Sequence, residues 1–65
     1  MKLKNKIREF RAEFDITQEE LAKKVKVRRE TIVHLENSGY NPSLKLAFDI
    51  ARVFKVPIEE VLWYE

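Results

Sequence analysis

Thr17-Gln-Glu-Glu-Leu-Ala-Lys-Lys-Val-Lys-Val-Arg-Arg-Glu-Thr-Ile-Val-His-Leu-Glu-Asn37 spaces two short amphipathic helices around a turn too small for them to lie antiparallel. Thr17 and Glu20 stand at the spacing of a capping box, and Ile16 just before the cap can staple to Leu21, so this helix start is specified twice. Ala22 falls where two helices must approach closely. Val25 and Val27 flank the turn, and Ile32 and Leu35 give the second of the two helices one buried stripe. The opposite face of that helix carries Arg28, Arg29, Glu30, Val33 and His34.

Outward from this stretch, Leu3, Ile7, Phe10 and Phe14 recur at steps of four, three and four, which predicts a first helix over about Lys4 to Phe14 with one core stripe. The second helix is expected over Gln18 to Lys24 and the third over Arg29 to Glu36. A loop from Asn37 to Pro42 follows. Ser43 is the expected N-cap of a fourth helix with Leu46, Ala47, Ile50 and Phe54 facing inward. Pro57 opens a final short helix, where Val56 and Val61 can form a second staple. No repeat, linker or low-complexity segment divides the sequence, so one domain is expected over residues 1–65.

A chain of 65 residues builds a marginal core, to which burial against a partner chain would add. The sequence has no cysteine, which excludes disulfides, thiolate metal sites and a cysteine nucleophile. No apolar run approaches the roughly 18 residues of a membrane span, and Met1-Lys-Leu-Lys lacks the apolar centre of a signal peptide. A soluble, cytoplasmic protein is expected. Catalysis finds little material. There is no glycine-rich phosphate loop, His34 is the only histidine, and both serines, Ser38 and Ser43, stand in turn or cap contexts. Glu19-Glu20 and Glu59-Glu60 begin helices, where their charge offsets the helix dipole. No enzyme activity, metal or cofactor is expected.

The net charge of +2 is too small to identify a partner, but its distribution is uneven. Lys2, Lys4, Lys6, Arg8 and Arg11 crowd the first eleven residues against Glu9 alone. Such a run is either a solvated helix face or a phosphate-contacting one.

Through Thr17-Gln18-Glu19-Glu20-Leu21-Ala22, Thr31-Ile32, Leu35-Glu36-Asn37 and Asn41-Pro42-Ser43-Leu44, with Leu46-Ala47 and Ile50-Ala51, the chain resembles the Cro and phage-repressor type of helix-turn-helix transcriptional regulators (XRE-like), in their short, single-domain prokaryotic form. The resemblance covers nearly the whole chain. It implies an all-α, compact five-helix bundle that binds double-stranded DNA, usually as a homodimer on a near-palindromic operator, with the third helix in the major groove. It further implies nucleoid association when bound. No small-molecule ligand is expected, because no sequence remains for an effector domain. Three departures stand out. Asp15, Lys26 and Lys55 occupy helix ends where the family often has glycine, Arg28 replaces the usual Ser or Thr cap of the recognition helix, and Ser38-Gly39 replaces a common lysine.

Within that docking, Arg29 is the expected base reader, since a guanidinium can donate two hydrogen bonds to guanine O6 and N7; the competing role is a phosphate clamp. Glu30 can accept from cytosine N4, or pair with His34 on an exposed face. Val33 can meet a thymine methyl, and His34 can reach a base edge or phosphate or simply face solvent. Phosphate contacts are expected from Lys4, Lys6, Gln18, Arg28, Asn37, Tyr40 and Asn41; Asn37 and Asn41 could equally cap the loop. Phe48, Leu62, Trp63 and Tyr64 remain once each helix has supplied a core stripe, and a homodimer seam is expected there. The rival reading is a helical protein-interaction adaptor, or an antitoxin-like partner-binding module, with weak DNA binding.

Overall fold

The computed structural model describes residues 2–37 and 41–65. Its elements run β1 (Leu3–Asn5), α1 (Ile7–Phe14), α2 (Gln18–Val25), α3 (Arg29–Glu36), α4 (Leu44–Phe54), α5 (Ile58–Val61) and β2 (Leu62–Tyr64). Five helices enclose the core, as the all-α reading requires, and a small antiparallel ribbon of β1 and β2 is added at one edge.

That ribbon corrects the first helix. Residues 3–5 are extended, with Leu3 opposite Tyr64, Lys4 opposite Trp63 and Asn5 opposite Leu62. Lys2 and Glu65 exchange two backbone hydrogen bonds of 2.9 Å, and the Lys6 N–H donates to the Val61 carbonyl at 2.9 Å. Leu3 reaches the core from the strand as an apolar residue one helical turn before Ile7 would, so four-residue periodicity alone could not separate the two conformations. Asn5 makes the transition: its Oδ1 accepts from the Ile7 N–H at 3.2 Å, and its Nδ2 donates to the Leu35 carbonyl at 3.1 Å.

The other helix starts follow the local signals. Thr17 Oγ1 accepts from the Glu20 N–H at 3.0 Å while the Glu20 carboxylate accepts from the Thr17 N–H at 2.8 Å, completing the capping box. Ser43 Oγ accepts from the Leu46 N–H at 3.1 Å. Pro57 sits at the N-cap of α5. Arg28 takes the cap position of α3 in extended conformation, and no side-chain bond from it caps that helix.

α1, α2 and α4 share one termination device. Asp15, Lys26 and Lys55 adopt left-handed conformations, with φ of 57°, 61° and 58°. In each, the left-handed residue donates to a carbonyl three positions back and the next residue to one five positions back, as with Lys26 to Lys23 and Val27 to Ala22. The apolar residue after each, Ile16, Val27 or Val56, packs against the core, which is the contact that completes this motif.

Ile7, Leu21, Ile32, Leu35, Ile50 and Val61 are fully buried, around Phe54. The Phe10 ring stacks on Phe54 at 5.4 Å, and Phe14 meets it edge-on at 5.3 Å. Truncating Phe54 to Ala would cost about 3–5 kcal/mol, comparable to the whole stability of a small domain. Leu62 is also part of this core, at 7% exposure, which corrects its expected place in an intersubunit seam: the turn from α5 into β2 points it inward, beside Leu3 and Ala47. Among the described residues no helix is long and apolar enough to cross a membrane, and no cluster of His, Cys, Asp or Glu could hold a metal ion.

Candidate nucleic-acid interface

α2 and α3 hold their exposed polar residues in place through a line of hydrogen bonds that begins on α1. Glu36, the last residue of α3, has its carboxylate almost wholly buried, at 1% side-chain exposure. Arg11 of α1 grips it with two donors, Nε to Oε2 at 2.7 Å and Nη2 to Oε1 at 3.2 Å, while its Nη1 donates to the Ile16 carbonyl at 3.1 Å. Gln18, the first residue of α2, donates from Nε2 to Glu36 Oε1 at 3.1 Å. Its Oε1 accepts from Arg29 Nη2 at 3.4 Å. Arg29 lies in the first turn of α3 and is otherwise exposed. The start of α2, the start of α3 and the end of α3 are thereby tied together.

Around this line the outer face of α3 is open. Arg28, Arg29, Glu30 and His34 are exposed, and Val33 is half-buried. Helical spacing puts Glu30, Val33 and His34 on one side, one turn along from Arg29. Asn37 follows α3 and is exposed, beside a shallow cleft that it shares with Arg8, Asn5, Glu9 and Glu36. The unpaired N–H groups and dipole of α2 add a positive end beside Gln18. Glu20, which completes the cap there, is held below the usual carboxylate range, first by the Thr17 backbone N–H, then by the Thr17 hydroxyl, with Lys24 and Lys23 assisting.

The basic N-terminal segment divides. Arg8 and Arg11 turn toward Glu36, with Arg8 Nε 3.8 Å from Oε1 and its side chain 70% exposed. Lys6 lies instead in a cleft with Phe10, Glu59, Glu60 and Trp63, and Lys4 stands on β1 opposite Trp63. Of the expected phosphate ligands, Gln18 and Arg28 therefore gather near Arg29, whereas Lys4 and Lys6 do not join them. Asn41 is exposed and accepts from the Tyr64 hydroxyl at 3.4 Å. Tyr40, with Ser38 and Gly39, lies outside the described residues.

The sequence reading missed Glu36, Arg11 and Asn5. A signal for the first existed: a carboxylate at a helix C-terminus opposes the dipole, so it needs another partner. Arg11, one turn beyond Ile7, borders the core stripe and is placed to supply it.

At another edge, Leu44 is 71% exposed, Phe48 48% and Tyr64 55%. Leu44 and Phe48 are one turn apart on α4, and Leu44, Trp63 and Tyr64 border an apolar groove floored by Ala47 and Leu62.

Two short helices joined by the Lys26–Arg28 turn, the second with an exposed basic first turn, define a DNA-binding helix-turn-helix protein. The chain belongs to the Helix-turn-helix family, whose pattern it matches over residues 7–61, and within it to the Cro and phage-repressor type of transcriptional regulators. It is 60% identical over 63 residues to an uncharacterized HTH-type transcriptional regulator of Archaeoglobus fulgidus, covering 97% of this chain and 89% of that one. It is 34% identical over 58 residues to the cryptic phage CTXphi transcriptional repressor RstR of Vibrio cholerae, covering 89% of this chain and 52% of RstR. The fold superposes on a putative DNA-binding protein from Bacteroides fragilis with a TM-score of 0.82 at 23% identity, covering 94% and 98% of the two chains. Members of this family are DNA-binding regulators and not enzymes.

Proposed function

We propose that this protein is a transcriptional repressor that binds a near-palindromic operator as a homodimer, with α3 of each copy in a major groove. The observation that carries the reading is the convergence of Gln18 and Arg29, 3.4 Å apart, at the starts of α2 and α3, with Arg28 adjacent. Arg29 reads a guanine, Glu30 accepts from a cytosine, and Val33 and His34 meet the next bases along the groove. Gln18, Arg28, Asn37 and Asn41 hold phosphates. Arg8 takes the phosphate role expected of the N-terminal segment, because it flanks α3 while Lys6 faces Glu59 and Glu60. Lys4 and Lys6 contribute long-range attraction. The exposed Leu44, Phe48 and Tyr64, with Trp63, form the two-fold seam. The similarity to a phage repressor supports the sign of regulation.

Selection of bound sequences from a random duplex pool tests the reading. A two-fold dimer yields a symmetric motif with half-site centres about 10 to 10.5 base pairs apart. An asymmetric motif removes the dimer, and no motif at all removes sequence-specific regulation and favours an adaptor. Arg8 and Arg28 of two copies neutralise phosphates with full charges, so affinity falls by about 10² between roughly 50 and 200 mM salt; a flat response contradicts the assignment of those two arginines.

A further inference from the structure

Glu36 occupies a position that electrostatics disfavours, a buried carboxylate at the negative end of α3. Its oxygens are engaged by Arg11 and by Gln18 Nε2. A carboxylate can only accept hydrogen bonds, and a guanidinium can only donate them. The Gln18 amide between Glu36 and Arg29 therefore has one orientation that satisfies both neighbours, nitrogen toward Glu36 and oxygen toward Arg29. Turned over, it would set its oxygen against a carboxylate and its N–H groups against a guanidinium. The second N–H on Gln18 Nε2 remains available for a phosphate.

We infer that Glu36 is a positioning residue for base recognition: acting through Gln18, it holds the Arg29 guanidinium over the start of α3 and so sets base preference without touching DNA. An arginine already held near its bound rotamer has less freedom to lose on docking, and its geometry favours one base edge over others. This rests on Arg29 being a base reader, as proposed above.

The test is selection from a random duplex pool with the wild type, Glu36→Gln, Gln18→Ala, Arg29→Ala and the double variant Arg29→Ala/Glu36→Gln, each checked for folding by circular dichroism. An amide at position 36 can offer Gln18 a donor or an acceptor, so the orientation of Gln18 is no longer dictated. At the base pair whose preference Arg29→Ala abolishes, Glu36→Gln lowers discrimination by about threefold to tenfold. Preferences elsewhere in the motif hold, and affinity for duplexes that lack the motif does not fall, because a negative charge near phosphates has been removed. A purely structural role would lower affinity and erode every position together. Gln18→Ala, which leaves the Arg11–Glu36 pair intact, relaxes the same base pair and keeps the test valid if Glu36→Gln does not fold. Without Arg29, Glu36→Gln changes the motif no further. Undiminished preference at that base pair in folded Gln18→Ala or Glu36→Gln overturns the inference alone, as does uniform erosion. A motif unchanged by Arg29→Ala overturns the base-reader assignment and the inference with it.

Discussion

Arg11 and Glu36, 25 residues apart in the chain, form a two-pronged ion pair of 2.7 and 3.2 Å that fastens α1 to the end of α3. Side-chain exposures of 15% and 1% take the pair largely out of water. In such a setting the attraction roughly offsets the cost of desolvation, and the larger penalty comes from removing one partner. Arg11→Met should lower unfolding free energy by about 3 kcal/mol or more, while Arg11→Met/Glu36→Leu should recover most of the loss. Urea denaturation of the single and double variants measures both. Equal destabilisation in the two would show that the pair itself stabilises the fold.

Three helix ends carry a non-glycine residue at positive φ, at a steric cost of about 1–2 kcal/mol each. Glycine removes that cost but loses about 0.5–1 kcal/mol in the entropy of the unfolded chain. Lys26→Gly and Lys55→Gly should each stabilise by about 0.5–1 kcal/mol, read as a higher melting temperature. Asp15→Gly should gain less, because aspartate tolerates the left-handed region better than lysine does.

The cap of α2 gives a pH dependence of definite sign. The folded state holds Glu20 below its ordinary value, chiefly through the Thr17 backbone N–H, so folding favours the ionised carboxylate. Its stabilisation is complete above the unfolded carboxylate's range and is lost as pH falls through the lower folded value. Glu20→Gln should flatten the acid limb of the stability profile relative to the wild type and leave other limbs unchanged. Thr17→Ala should cost about 1 kcal/mol at neutral pH without altering the selected DNA motif.

Phe48, half-exposed on α4, tests the proposed seam without disturbing the monomer core. Phe48→Glu should leave the helical spectrum intact and yield a monomer by sedimentation at micromolar concentration, since facing carboxylates in an apolar seam lack partners. Binding should then fall to that of a single half-site and lose its sensitivity to half-site spacing. A wild type that stays monomeric both free and on a palindromic duplex would remove the seam.

The sequence by itself determined what depends on neighbours three to five residues away. The Thr17–Glu20 capping box, the Ser43 cap and the inward stripes of α3 and α4 are all local chemistry, and together they specify the helix-turn-helix. The exposed basic start of α3 was legible for the same reason, since periodicity leaves it off the core face. Tertiary structure decided whatever needed a partner from far along the chain. Leu3–Asn5 is a strand because Leu62–Tyr64 pairs with it, and Leu62 is core because that pairing turns it inward. Arg8, and not Lys6, flanks α3 because the α1 core stripe fixes that helix's rotation and directs Arg8 and Arg11 toward Glu36, while Lys6, ahead of α1, is held beside α5 by its backbone bond to Val61. In sequence Glu36 shows only that it opposes the dipole of its helix and needs a partner, not which partner it has. Only the packing of α1 across the end of α3 supplies the guanidinium that lets it be buried.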